Sequence, residues 1–315
     1  MATYSNDARL ESWELPGQRR GLFLRVLSGL ATFSRRKPLG AFGAFLIGLP
    51  IFASLLLPGL DLGIVSLPRV LPYAHNEYVL GENILEGPSW EHPLGTDNYG
   101  RDQLARLLYG SRLSLFIGWS VFAISTVMST SLTLISAYYI RTVDLVMQRL
   151  VEMLGFIPDL ILIVALFSIY GATPLTLILT LGVMNGLNTG RVLRSLVIGI
   201  KSQPYIESAR SIGASDKRII LRHVFPQIAF WIIVSATNGI AAAVLVESGL
   251  AILGFGLSPD IPTLGNLLNN SRNFLRSAPY LVLAPGIMIF AILLGGRLLG
   301  DALRDVLDPR LRGTK

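Results

Sequence analysis

Apolar residues along this chain gather into six blocks, Leu39 to Leu57, Leu113 to Tyr139, Leu150 to Tyr170, Leu175 to Gly190, Phe230 to Leu250 and Tyr280 to Leu299. A soluble domain spreads its apolar positions at helix or strand period around one core, whereas blocks of this length match the roughly 20 residues of a helix that crosses a bilayer. The fourth block is short unless it continues past Gly190 through Val192. The pattern predicts an all-α membrane protein with six transmembrane helices. Its segments are 1–38 as an N-terminal stretch, 39–57 as the first span, 58–112 as a loop, 113–299 as a five-helix core and 300–315 as a tail.

The polar segments differ in character. Residues 58–112 are rich in Gly and Pro early and then carry Leu104, Leu107 and Leu108 at helical spacing, which predicts a loop followed by an amphipathic helix lying at the interface. Residues 251–279, with Pro259, Pro262 and Asn269-Asn270, predict an irregular cap. Residues 191–226 predict two short helices, one over Pro204 to Ile212 ended by Gly213 in a left-handed turn and one over Asp216 to Val224, with Pro226 opening the fifth span. Such a hairpin is a compact knob that a soluble partner can grip. Glu207 offers it a charge, and small Ser208 and Ala209 permit close approach.

Basic residues near spans stay preferentially in the cytoplasm. The first segment holds Arg9, Arg19, Arg20, Arg25, Arg35, Arg36 and Lys37, and the 191–226 loop holds Arg191, Arg194, Lys201, Arg210, Lys217, Arg218 and Arg222. The alternate segments hold only Arg69, Arg101, Arg106, Arg112, Arg272 and Arg276. Both termini are therefore expected in the cytoplasm, with 58–112 and 251–279 outside.

Composition agrees with the spans, at 51% hydrophobic and 15% charged. The net charge of +7 is the inner-side bias of a membrane protein and not a nucleic-acid footprint, because no compact basic domain exists to carry one. Cysteine is absent, which excludes disulfides, thiolate metal sites and a cysteine nucleophile. The polar N-terminal stretch is too long for the n-region of a secretory signal, so no cleaved targeting peptide is expected. His75, His92 and His223 lie in unrelated segments and predict no metal site. There is no Gly-x-x-x-x-Gly-Lys-Ser/Thr loop to cradle ATP phosphates, so any ATP dependence must come from partners.

The inner loop resembles the coupling loop of ABC importer permeases, whose pattern is Glu-Ala-Ala, three residues, Gly, nine residues, Ile, one residue, Leu-Pro. Glu207, Ala209, Gly213 and Pro226 match it, Ala214 follows the glycine, and Ser208, His223 and Phe225 depart from it. Arg222-His223 is similar to the peptide and nickel branch. Residues 92–102, with Gly95, Thr96, Asp97, Gly100, Arg101 and Asp102, followed by 106–115, resemble the signature before span two in the C-type permease subunit of dipeptide, oligopeptide and nickel importers. Further matches fall at 247–256 and 300–312, so the resemblance covers about His92 to Arg312.

The resemblance implies a type I ABC importer permease fold in the bacterial inner membrane, with a cytoplasmic coupling helix between spans four and five. It also implies a second homologous permease as a heterodimer partner, two cytoplasmic ATPases that bind ATP and Mg, and an extracytoplasmic solute-binding protein that delivers solute to the outer mouth. The chain itself is then non-catalytic and holds no cofactor. Glu207, Ser208, Ala209, Gly213, Ala214 and Pro226 transmit force and perform no chemistry.

Polar groups within spans are costly and mark function or packing. Asp159, Asn185, Asn188, Asn238 and Glu247 are expected to line the translocation path or hold helices together. Glu152 and Asp159, seven apart on one predicted span, fall on nearly one face. A relay through Asp159 and Glu247 would make the chain a proton-coupled secondary transporter, but no inverted repeat relates its halves. An intramembrane protease is excluded because no histidine lies in a span and no Gly-x-Gly-Asp sequence is present. Asp97 is expected to cap the interfacial helix in preference to a calcium role. Gly182, Gly186 and Gly190 mark a close helix contact, within this subunit or across to a partner.

Overall fold

A computed structural model describes residues 33–56, 60–61, 66–67, 71–77, 84–138 and 141–307. The chain divides into two units, 1–38 and 39–315. In the first, the described residues include one helical turn over 33–36.

The second unit is built of helices. In chain order they are α1 (Pro38–Leu56), α2 (Gln103–Tyr138), α3 (Arg141–Gly155), α4 (Asp159–Tyr170), α5 (Pro174–Lys201), α6 (Pro204–Ser211), α7 (Asp216–Ile219), α8 (Phe225–Ile252), α9 (Leu264–Ser271) and α10 (Tyr280–Leu307). A π turn over Ile220–Val224 joins α7 to α8, and a 3-10 turn over Arg272–Phe274 follows α9. Between α1 and α2 a short antiparallel ladder pairs β1 (Leu60–Asp61) with β2 (Ser66–Leu67).

Among the described residues, four helices are long and apolar enough to cross a bilayer: Pro38–Leu56, Gln103–Leu134, Asp216–Ile252 and Tyr280–Val306. The third expected span, Leu150 to Tyr170, is instead two helices. Pro158 supplies no N–H, its ring disfavours helix at the residue before it, and its own backbone sits at φ −58°, ψ 131°. Glu152 therefore lies on α3 and Asp159 opens α4, so the two do not share one helical face, and both are exposed. At 12 residues, α4 is shorter than the roughly 17–25 that crossing requires. The fourth expected span is longer than its apolar block: α5 runs 28 residues, past Arg191 and Arg194. Thr173 fixes its start by accepting the Thr176 N–H at 3.2 Å, with Pro174 in the first turn, where a missing N–H costs nothing.

The separate interfacial helix expected around Leu104, Leu107 and Leu108 does not exist. Those residues form the first turns of α2, a single 36-residue helix of about 54 Å. Leu107 and Leu108 are buried, because α9 and α10 cover this end of the helix through Leu264, Leu267, Ile289 and Ile292.

Apolar side chains gain little by leaving lipid for protein, so close backbone approach has to supply much of the packing energy. The most extensive helix pair, α2 with α5, meets along the glycine row. A Cβ at Gly182 would lie 2.8 Å from Ile124 Cγ2, one at Gly186 3.0 Å from Met128 Cβ, and Gly190 faces Ser129. The Thr133 hydroxyl donates across the same seam to the Gly190 carbonyl at 3.1 Å. The row is thus an interface within this subunit. Gly43 of α1 and Gly295 of α10 meet in the same way, each with its Cβ position 2.8 Å from the other's carbonyl oxygen.

At one end of α8, Glu247 is 1% exposed and binds three elements together. Its carboxylate accepts from Thr263 Oγ1 at 2.6 Å and from Ser114 Oγ of α2 at 3.1 Å, and Ser114 Oγ in turn accepts the Leu264 N–H at 3.0 Å. Gly265 is required beside it, since a Cβ there would lie 2.6 Å from Ser248 Cα.

Two stability outcomes follow from this packing. Gly182→Leu should lower the stability of the detergent-solubilised subunit by about 1–3 kcal/mol through overpacking, while Gly48→Leu, whose Cβ meets open space, should leave it unchanged. Glu247→Ala should cost about 1–3 kcal/mol by orphaning buried donors, and Glu247→Gln less. Thermal melting of each variant checks all four.

Candidate functional site

The knob expected between the fourth and fifth spans is α6 with the turn that closes it. Ala214 N–H reaches the Ala209 carbonyl at 3.0 Å and Gly213 N–H the Arg210 carbonyl at 2.9 Å, the paired bonds of a Schellman cap. Such a cap needs a left-handed residue, and Gly213 sits at φ +82°. Its apolar contact is Ala209 against Ala214, which is half-buried.

One face of the knob is fused to the membrane helices. Ile206 and Ala209 pack with Leu193, Val197 and Ile200 from the end of α5, with Ile219, Ile220 and Val224, and with Ile228 of α8. Ala209, 9% exposed, is thus an inward anchor and not the small surface residue for partner approach that its place in the sequence predicts. The outward face presents Tyr205, Glu207, Ser208, Ser211 and Ile212. The Ser208 hydroxyl donates to its own helix at the Pro204 carbonyl, 3.0 Å away. Ile212 is 86% exposed, an aliphatic side chain with no cover from its own chain. The sequence reading missed it; the available signal was an isoleucine directly before a helix-ending glycine, outside the apolar period of α6.

The π turn has a local cause in Pro226. A proline inside a helix removes one backbone bond and pushes on the carbonyl four residues earlier, here Arg222, and a widened turn relieves that contact. Phe225 N–H then reaches the Ile220 carbonyl, five residues back. Gln227 Nε2 donates to Tyr205 Oη at 2.5 Å and the His223 ring lies 6.0 Å from that of Tyr205, so this turn also holds the start of α6.

The 92–102 segment is a folded turn that starts α2. His92 Nδ1 lies 2.8 Å from Asp102 Oδ2, and Asp102 Oδ1 accepts the Ala105 N–H at 2.7 Å. Asp102, rather than the expected Asp97, therefore caps the helix. Asp97 instead accepts the Tyr99 and Arg101 N–H groups at 2.8 and 2.9 Å and pairs with Arg101 Nε at 2.7 Å. Thr96 bridges to Asp102, and Gly95 and Gly100 hold φ of +73° and +71°. A side chain at Gly95 would strike the Glu86 carbonyl at 2.5 Å and the Tyr280 ring at 2.6 Å. The signature is accordingly a self-contained buried ion and hydrogen-bond cluster. Beside it His75 stacks on Tyr109 at 3.8 Å, and burial, helped by Arg106, holds its imidazole below the usual histidine range.

The polar residues expected in or between the spans are not brought together. Asp159 is exposed at the first turn of α4, and Asn185, Asn188 and Asn238 are exposed on α5 and α8, whereas Glu247 is sealed by Ser114 and Thr263. Of these five, Asn185 alone lines a described cavity between α2, α5 and α8, about 160 Å³ in volume.

Comparison with known proteins places this geometry. Residues 129–313 match the family of binding-protein-dependent transport system inner membrane components. The chain is 37% identical over 230 residues to the dipeptide transport system permease protein DppC of Alkalihalophilus pseudofirmus, covering 73% of this chain and 76% of that one. It is 36% identical to DppC of Haemophilus influenzae, over 72% and 77%. It is 33% identical to the glutathione transport system permease protein GsiD of Pectobacterium atrosepticum, over 77% and 81%. With its apolar helices and these relatives, the chain belongs to the binding-protein-dependent inner membrane permeases, as a multi-pass, non-catalytic subunit of an ATP-binding-cassette importer.

Proposed function

We propose that this permease forms half of the translocation path of a peptide importer and is driven through α6 by cytoplasmic ATPases. The observation that carries the reading is the two-sided construction of the knob. Its inner face is continuous with the core that holds the end of α5 and the start of α8, while its outer face leaves Glu207, Ser208 and Ile212 open. A partner that grips the outer face therefore moves two membrane helices with it. Ala209, Gly213, Ala214 and Pro226 act by making this connection stiff, and Glu207, Ser208 and Ile212 act by touching the partner.

In this reading the chain crosses the inner membrane six times. The α3–α4 break is exposed in this chain, so in this reading the partner permease screens it from lipid, as irregular backbone at membrane depth requires. The bias of Lys and Arg sets both termini in the cytoplasm. The assembly holds a second, homologous permease, two ATPases that bind ATP and magnesium, and an extracytoplasmic binding protein that meets the outer mouth near Asp97 to Arg101. Peptides are the favoured cargo, in keeping with the dipeptide and glutathione permeases above; nickel complexes and longer peptides are the other solutes handled by the branch it resembles. Glu247 serves as packing in the outer cap, and of the predicted path residues Asn185 is the one set on a cavity.

Ile212→Asp and Glu207→Lys should each weaken ATPase docking by about 2 kcal/mol, roughly 30-fold, as loss of a central contact does. Gly213→Pro, which cannot adopt the left-handed turn, should abolish solute uptake. The measurement is co-purification of the ATPases together with uptake in membrane vesicles. Wild-type levels of both in all three variants would remove the coupling role.

A further inference from the structure

The cavity on Asn185 lies where three helices meet: α2 contributes Ser125 and Ser129, α5 contributes Asn185 and Thr189, and α8 contributes Trp231 and Ser235. No Asp, Glu, Lys or Arg lines it. Two of the hydroxyls are used locally, Ser129 donating to the Thr126 carbonyl at 3.2 Å and Ser235 to the Ile232 carbonyl at 3.0 Å, and so they present only acceptor lone pairs. The side chains of Ser125, Asn185, Thr189 and Trp231 make no hydrogen bond to the described chain. These four groups face one cavity from three helices, and at membrane depth such groups need water or a ligand as partner. The larger cavity between α4 and α5, about 520 Å³, is the more apolar of the two, with Leu162, Leu166, Leu175 and Leu179 beside Thr173, Thr176 and Thr180.

Size and chemistry together limit what fits. The volume of about 160 Å³ equals roughly five waters, enough for one peptide unit with a small side chain. With no charge in the wall, neither an ammonium nor a carboxylate would find a counterion, and both are costly to strip of water without one. A secondary amide is neutral and needs one acceptor and one donor. Asn185 offers both on one planar group, and Trp231, Ser125 and Thr189 line the same cavity. We propose that this cavity is a solute subsite that binds the backbone amide of a peptide in transit, leaving its charged ends outside the pocket. The proposal rests on the importer reading above and adds to it a point of solute recognition within the permease itself.

The test uses the complete importer, with its binding protein, both permeases and its ATPases, in proteoliposomes. The binding protein is saturated with solute so that its own affinity drops out. Transport turnover is compared for dialanine and for its ester analogue alanyl-lactate, which has the same shape but lacks the amide N–H. Wild type should move the amide roughly tenfold faster, the size of one hydrogen bond. Asn185→Leu and Ser125→Val should bring the ratio close to one, while Ser195→Val, on α5 but away from the cavity, should preserve it. Should Asn185→Leu fail to assemble, Asn185→Ala, which removes the amide oxygen that accepts the solute N–H without adding bulk, should show the same loss of ratio. A wild-type ratio near one, or an unchanged ratio in the cavity variants, overturns the subsite while peptide uptake itself leaves the importer reading in place. Absence of peptide uptake by wild type overturns the peptide reading and the amide assignment with it.

Discussion

At Gly186 the place where a side chain would begin lies 3.0 Å from the Cβ of Met128, and at Gly182 it lies 2.8 Å from Ile124. Lipid offers apolar side chains nearly the same environment as a protein core, so two helices in a bilayer hold together through the number of atoms they bring into contact. The glycine row seats the Ile124 and Met128 side chains of α2 directly on the α5 backbone, and Thr133 adds a bond to the Gly190 carbonyl. α8 packs into the flank of that pair: a Cβ at Gly118 would lie 3.0 Å from the Ile240 carbonyl, and one at Gly239 would lie 3.0 Å from Phe122. α10 and α9 pack on α8. The cavity that carries Asn185 lies where α2, α5 and α8 converge.

The same arrangement gives the knob its mechanical meaning. α5 ends at Lys201 and α8 begins at Phe225, and the short hairpin between them has little freedom, because Ile206 and Ala209 are buried in the cluster formed by both helix ends. The Schellman cap at Gly213 and the π turn before Pro226 fix the two bends of the hairpin. In the proposed coupling role a load at Ile212 would reach α5 and α8, the helices that carry Asn185 and Trp231.

Much of this was legible in the sequence, and the exceptions share a cause. Gly213 as a helix stop and Pro226 as the start of a span could be read because glycine and proline act on local backbone geometry. The α1, α8 and α10 spans could be read from uninterrupted apolar runs. The break at Pro158 was hidden by counting hydrophobic residues through it, although the backbone rule for the residue before a proline was available. The role of Asp102 as the cap, with Asp97 turned onto Arg101, could not be read, since both carboxylates stand at plausible distances from the helix start and only the fold of Gly95 and Gly100 decides between them. Ala209 was misjudged for a related reason. Its place in a polar octet looks like surface until α5 and α8 close over one side of the helix. Of the pathway residues, the sequence marked Asn185 only as one polar group among several, and convergence with Ser125 and Trp231 is a property of three helices distant along the chain.

The placement of charge completes the argument. The buried ionisable groups among the described residues gather in the cap and in the turn at the start of α2: Glu247 is held by Ser114 and Thr263, Asp97 by Arg101, and Asp102 by His92. Each is matched by partners from its own chain, which spends its electrostatic force on holding α2, α8 and α9 in register. The cavity has no charged residue in its wall, which mixes Asn185 and hydroxyl groups with Val121, Phe122, Ile232 and Ala242. In the proposed subsite a fixed charge would hold an oppositely charged solute tightly and repel one of like charge, whereas neutral hydrogen bonds of about 1 kcal/mol each can be exchanged for water. The buried charges thus serve the packing of α2, α8 and α9, and the cavity is left uncharged.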